Sequence, residues 1–268
     1  SAASDVYKRQ NFYLSFAVAQ KEPTRSDFTD RYKFAADDTY PSSEKLYDWE
    51  LGYQYTAPRL SLGVNLYYMK YKDQLVPTGM VNDDSNALNT NVPDSYRRGV
   101  ELSASWRATG WFTVGANATF SQNRIENYVD ALKDSPTYGK ELGDMTIAYS
   151  PDVIANAFLN FHHRGFEAVF HTQHVGKQYF TNNENDALSL DAYCVTNLNL
   201  AYTFRTRSAR SVRLGLLINN LFNAEYESNG YGYSYMDTWS GPAPVRIDEA
   251  YYFPQAPLNV LANVTVKF

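Results

Sequence analysis

The 268-residue chain is 44% hydrophobic and 16% aromatic, with 23 Tyr against 4 Trp and a formal net charge of -5. That acidic balance argues against nucleic-acid binding, which needs a basic stripe. A single cysteine excludes a disulfide or a CxxC zinc site, and no run approaches the roughly 18 apolar residues of a membrane helix.

Residues 1–10 read SAASDVYKRQ. One codon choice for this string spells a transposase adapter used in preparing sequencing libraries. The first ten residues are therefore expected to be translated adapter, with the natural gene beginning upstream. On that reading, the lack of a leader peptide carries no information about location.

From residue 11 onward, period-2 alternation recurs, the mark of strands with one apolar face. Phe12, Leu14, Phe16 and Val18 alternate with Tyr13, Ser15 and Ala17. The same pattern runs through Tyr47–Tyr55, Leu60–Tyr68, Val100–Trp106 and Phe112–Phe120. Val153–Phe161 is weaker, because Ile154 and Phe158 fall on the polar side. Phe166–Phe170, Cys194–Phe204, Val212–Ile218 and Leu258–Phe268 complete the set. The spacing predicts an all-β antiparallel meander of about ten strands, mostly near the length a tilted strand needs to cross a bilayer. Cys194 is expected to be a small buried hydrophobe.

Connections alternate too. Short turns are expected at Ala57–Arg59, Ala108–Gly110, His162–Gly165 and Arg205–Arg210. Long segments are expected at Lys21–Glu44, Lys72–Tyr96, Asn127–Ser150, Phe180–Leu190 and Asn223–Ala256. Membrane barrels pair short periplasmic turns with long extracellular loops. A soluble β-sandwich or propeller also alternates. Strand length, aromatics near the strand ends and a small polar opposite face favour the membrane barrel.

Several segments resemble motifs of one family. Tyr13 through Phe28 resembles a strand followed by a Pro-x-Arg loop, Pro23 to Arg25. Glu44 through Tyr53 resembles an E-K…E-L-G-Y strand, and Tyr67 through Leu75 an F-Y-x-x-Y-K-D-Q-I strand. Arg98 through Leu102 is similar to R-G-x-E, Val175 through Tyr179 to V-G-K-Q-Y, and Asn219 through Tyr226 to N-N-L-F-N-x-x-Y. With Tyr252–Ala256 and the terminal Phe268, these cover nearly all of 11–268. Together they resemble the C-terminal half of the β-barrel of TonB-dependent outer-membrane receptors, in a Bacteroidetes-like form. The resemblance implies a barrel of about 22 strands, plugged by an N-terminal domain and energised by TonB from the periplasm. No plug domain or TonB box is expected within this chain, so residues 11–268 alone are expected to carry no transport. Outer-membrane lipid and the barrel-assembly machinery are implied partners, with Phe268 as the assembly signal. Phe12–Gln20 and the last strand are expected as open edges.

Candidate functional residues follow from face and loop. Glu50, Glu101 and Arg213 fall on the polar, lumenal side and are expected to face the plug. Tyr231, Tyr233, Tyr235 and Trp239 sit with acidic neighbours in the longest loop, a composition suited to ligand capture; self-packing of the loop is the competing reading. Arg25, Arg31 and Tyr32 in the first long loop could meet an anionic ligand. His171 and His174 are three apart on a strand and point to opposite faces, so no metal site is expected there. No catalytic set is apparent, and no cofactor is expected. The expected function is active uptake of a scarce nutrient across the outer membrane of a Gram-negative bacterium, a ferric siderophore or other metal chelate first, with cobalamin, haem and glycans open. A passive porin and a soluble β-rich binding protein are the alternatives.

Overall fold

The computed structural model describes residues 9–29, 40–82, 86–132 and 135–268. The expected Arg31 and Tyr32 contacts, and all but two of the first ten residues, lie outside them. The strands are β1 (Gln10–Lys21), β2 (Glu44–Ala57), β3 (Leu60–Val81), β4 (Ala87–Arg107), β5 (Phe112–Ile125), β6 (Met145–Thr146), β7 (Val153–His163), β8 (Phe166–Val175), β9 (Gln178–Tyr179), β10 (Ser189–Leu190), β11 (Tyr193–Phe204), β12 (Ser211–Asn219), β13 (Glu227–Asp237), β14 (Val245–Pro254) and β15 (Asn259–Lys267). One short helix, α1 (Arg25–Thr29), follows β1. Ten strands form an antiparallel meander in the order β1-β2-β3-β4-β5-β7-β8-β11-β12-β15, with β6 added to β5. β1 and β15 are its two open edges.

Cross-strand register explains why the alternation produces one lipid face. Trp49 pairs with Tyr68, Tyr68 with Arg98 and Arg98 with Gln122. One row lower, Leu66 pairs with Val100, Val100 with Phe120 and Phe120 with Val153. These side chains have no protein covering them: Leu14, Leu51, Leu66, Leu102 and Val264 are all exposed. Such exposure in water would be an aggregation hazard; in hydrocarbon it is the stable state. Aromatic belts bound the apolar rows. At the long-loop end, Phe16, Trp49, Tyr68 and Tyr96 form a chain of ring contacts; at the other end Trp111, Phe112 and Phe161 do so. The eight steps from Leu60 to Tyr68 span about 26 Å along the strand, or about 20 Å at a tilt of about 40°. That is close to the apolar thickness an outer-membrane barrel needs.

The short turns are tight. Arg164 (φ 46°) and Gly165 (φ 84°) both take the left-handed conformation that a two-residue type I′ hairpin requires. A Cβ at Gly165 would lie 2.3 Å from the carbonyl oxygen of Thr203, so the position also needs the absence of a side chain.

Three expectations are corrected. Lys72–Tyr96 is not a long loop: β3 and β4 continue through it, 22 and 21 residues long, and the Asn82 amide still donates to the Asn86 carbonyl (2.9 Å) just beyond them. The alternation fades there because the strands leave the lipid and Val76 and Val92 are buried under other loops instead. Asn223–Ala256 likewise contains a hairpin, β13–β14. Cys194 is exposed rather than buried, because it stands near the start of β11 on the apolar face of the wall, which no other element covers there. The weakness of β7 has a physical cause as well. Phe158 covers Gly115 on the neighbouring strand, its ring filling the space a Cβ would take.

The two buried hydrophobic clusters are not in the membrane wall. Val76, Val92, Ile125, Tyr128 and Ile147 form one cluster, and Phe180, Leu188 and Leu190 a second. Both belong to the long connections and strand extensions above the aromatic belt.

Candidate ligand site at the loop end of the barrel

The loop-end structure is assembled by the segment 180–190. The amide of Asn182 donates to the carbonyl of Pro77 on β3 (2.6 Å), and its oxygen accepts from the amide of Ala148 (2.7 Å). Glu184 accepts from the amide (3.0 Å) and hydroxyl (2.5 Å) of Thr146 and pairs with Arg124 on β5. Burial would raise the Glu184 carboxyl, but these donors outweigh it and hold it below the usual carboxylate range.

The β13–β14 hairpin sits on this segment. Its even face is nearly side-chain-free where Gly230 and Gly232 lie: a Cβ on either would come within 3.0 Å of the Phe180 ring. The glycines thus let the hairpin close on Phe180 and Leu188. Its odd face is left outward, and β13 lies beside β3 although it is threaded between β12 and β15. The hairpin therefore links the last strands back toward the first.

That outward face carries most of the predicted aromatic set. Tyr233 donates to Oε2 of Glu249 (2.7 Å), Tyr251 donates to the same oxygen (2.9 Å), and Tyr235 donates to Oε1 (3.0 Å). Three phenols converging on one carboxylate hold Glu249 below its ordinary range. The same carboxylate pushes the Tyr233 and Tyr235 phenols up. Tyr231 stacks on Tyr251, with centroids 4.9 Å apart and planes 13° apart. The structure thus brings Tyr231, Tyr233 and Tyr235 together and adds Glu249 and Tyr251. Glu249 and Tyr251 come from β14, and the pairings Tyr233–Glu249 and Tyr231–Tyr251 are set by hairpin register. Trp239 is not part of this face. It is 95% exposed at the hairpin tip, where its amide donates to Asp237 (2.9 Å). Arg25 opens α1, on another element; α1 is docked by Asp27, which accepts from Asn89 of β4 (2.9 Å).

The lumenal residues share one face but not one site. Glu50 lies opposite Ser15 and Tyr67. Glu101 accepts from Asn65 (3.2 Å), beside a pocket of about 350 Å³ lined also by Tyr13, Gln54, Ser103, Asn117 and Thr119. Arg213 stands several strands away, donating to Glu167 (2.6 Å). His171 pairs with Phe158 and His174 with Ala155, on opposite faces as expected.

A family model described as TonB dependent receptor-like, beta-barrel, matches residues 3–221. The chain belongs to this family. Solved TonB-dependent receptors share its fold. The ferric yersiniabactin uptake receptor FyuA from Yersinia pestis superposes with a TM-score of 0.65 at 20% identity, covering 98% of this chain and 36% of that one. The siderophore receptor PiuA from Acinetobacter baumannii gives 0.66 at 13%, covering 96% and 34%. The ferric-catecholate import receptor Fiu from K12 E. coli gives 0.62 at 18%, covering 97% and 33%. The chain therefore spans about a third of the length of these receptors. TonB-dependent receptor barrels are proteins of the Gram-negative outer membrane, which accounts for the exposed apolar rows. The family motifs quoted from the sequence now have places. Arg98 and Glu101 of the Arg98–Leu102 segment face lipid and lumen respectively. Asn220 in Asn219–Tyr226 is a buried clasp: its side chain donates to Ala224 O and accepts from Ala224 N (both 2.8 Å).

Proposed function

We propose that this chain forms the C-terminal half of the barrel, of about 22 strands, in a receptor that imports a scarce nutrient. The cargo is a ferric siderophore or another metal chelate, and TonB supplies the energy through a plug domain. The observation that carries the reading is the outward face of Tyr231, Tyr233, Tyr235, Tyr251 and Glu249 at the loop end of a TonB-dependent receptor barrel. Stacked, mutually braced phenols offer ring faces at low entropy cost on binding. With the protons of Tyr233, Tyr235 and Tyr251 committed to Glu249, these three phenols also present oxygen acceptors. The names of the structural neighbours, receptors for ferric yersiniabactin and ferric catecholates, support a metal chelate. Glu50, Glu101 and Arg213 then meet the plug from the wall, Arg25 belongs to a separate loop contact, and residues 1–10 are adapter.

The test uses a complete receptor carrying these residues, with an iron chelate as sole iron source. Glu249→Gln with Tyr233→Phe should raise the half-saturating chelate concentration about tenfold, a loss of about 1.4 kcal/mol. Collapse of the proton gradient should stop uptake. Uptake that survives the collapse would instead establish a passive channel, and an unchanged half-saturation would remove the hairpin from the ligand site.

A further inference from the structure

At the upper edge of the lipid face one exposed cation has no carboxylate. Arg98 donates through Nε (2.9 Å) and Nη2 (2.5 Å) to Oε1 of Gln122, and its guanidinium lies 5.1 Å from the Tyr96 ring centroid. A guanidinium has five N–H donors, so three remain for another acceptor. Among the described residues no carboxylate pairs with it, whereas Lys70 and Lys72 nearby share Asp94, and Lys70 also holds Glu126.

Directly below Arg98 the cross-strand row Leu66, Val100, Phe120 and Val153 lines a shallow groove of about 660 Å³. Tyr68, Arg98 and Gln122 line the groove one row higher. Asp152 also lines it, beside Val153, so the cationic part of the rim is the Arg98 end. The groove is apolar along the hydrocarbon and cationic where hydrocarbon gives way to headgroups, the profile of an amphiphile bearing an anion. Arginine suits phosphate in particular, because its fork can donate two parallel charge-assisted bonds.

We infer that this groove binds one lipid of the outer leaflet with a phosphorylated headgroup, its acyl chain against Leu66, Val100 and Phe120 and its phosphate on Arg98. The site lies on the outside of the wall, and it stands whatever the receptor's cargo is.

The test is native mass spectrometry of a complete receptor carrying these residues, extracted from outer membranes into micelles. It is titrated with a phosphorylated glycolipid, the same lipid with its phosphates removed, and inorganic phosphate as competitor. Wild type should retain the phosphorylated lipid. Arg98→Gln should weaken retention about tenfold, and Phe120→Ala should weaken it with Arg98 intact. Asp152→Asn should leave it equal or tighter. Equal retention by wild type and Arg98→Gln, equal binding of the dephosphorylated lipid, or displacement by inorganic phosphate would each overturn the site. If Arg98→Gln fails to assemble, Phe120→Ala and the two lipids decide the outcome.

Discussion

Replacing Asn220 by alanine tests whether the Asn219–Tyr226 motif is a structural clasp. Asn220 is 3% exposed and sits at φ 51°, where most side chains are strained. Its amide group bonds both the N–H and the carbonyl of Ala224 at 2.8 Å and reaches the carbonyl of Ala256 at 3.3 Å. Its own N–H donates to the Asn197 side chain (2.9 Å). The clasp thereby ties the end of β12 to β11 and to the approach to β15. Asn220→Ala removes two good hydrogen bonds, about 1 kcal/mol each, and places alanine in the left-handed region at about 1 kcal/mol more. The sum of about 3 kcal/mol corresponds to a roughly hundredfold change in the local opening equilibrium. Asn220→Gly loses the same bonds without the backbone strain, so about 2 kcal/mol is expected. Hydrogen–deuterium exchange of the Leu221 and Ala224 amides in detergent micelles reads these values. Unchanged protection in Asn220→Ala would refute the clasp; equal loss in the alanine and glycine variants would refute the backbone share.

Gly165→Ala should cost at least about 1–2 kcal/mol from the left-handed backbone alone, with a further penalty from the overlap with Thr203, read as a lower denaturant midpoint of the β7–β8 hairpin. An unchanged midpoint would show that the turn can change type. The Glu184 carboxyl is depressed in the folded state, so its contribution is present above the ordinary glutamate range and lost as pH falls through the folded value. Protease access to the 180–190 segment should therefore rise only in that acid window, and Glu184→Gln should abolish the transition. Spectroscopic titration should find Tyr233 ionising later than the ordinary tyrosine value, and Glu249→Gln should remove most of that delay. Deletion of Phe268, which is 93% exposed beyond the last strand, should leave β12–β15 pairing possible yet lower the assembled fraction in the outer membrane. Normal assembly would remove its role as a signal.

Period-2 alternation, together with strand length and the aromatics near the strand ends, determined the membrane wall, because lipid on one side and a hydrated lumen on the other act on each residue independently of distant sequence. Hence Leu66, Val100 and Glu101 could be assigned to faces from their own strands. The short turns and the opposed histidines followed from the same local rule, whereas the two open edges followed from the resemblance to part of a larger barrel. Above the membrane that rule stops, and the fold depends on segments far apart in the chain. Val76 and Val92 extend β3 and β4 because Ile125, Tyr128 and Ile147 cover them. Asn182 finds Pro77 across 105 positions. The aromatic composition of the longest loop was legible, but not its choice of partners. Only hairpin register, and the close seat of Gly230 and Gly232 on Phe180, turned Tyr231, Tyr233 and Tyr235 to one side with Glu249 and left Trp239 apart.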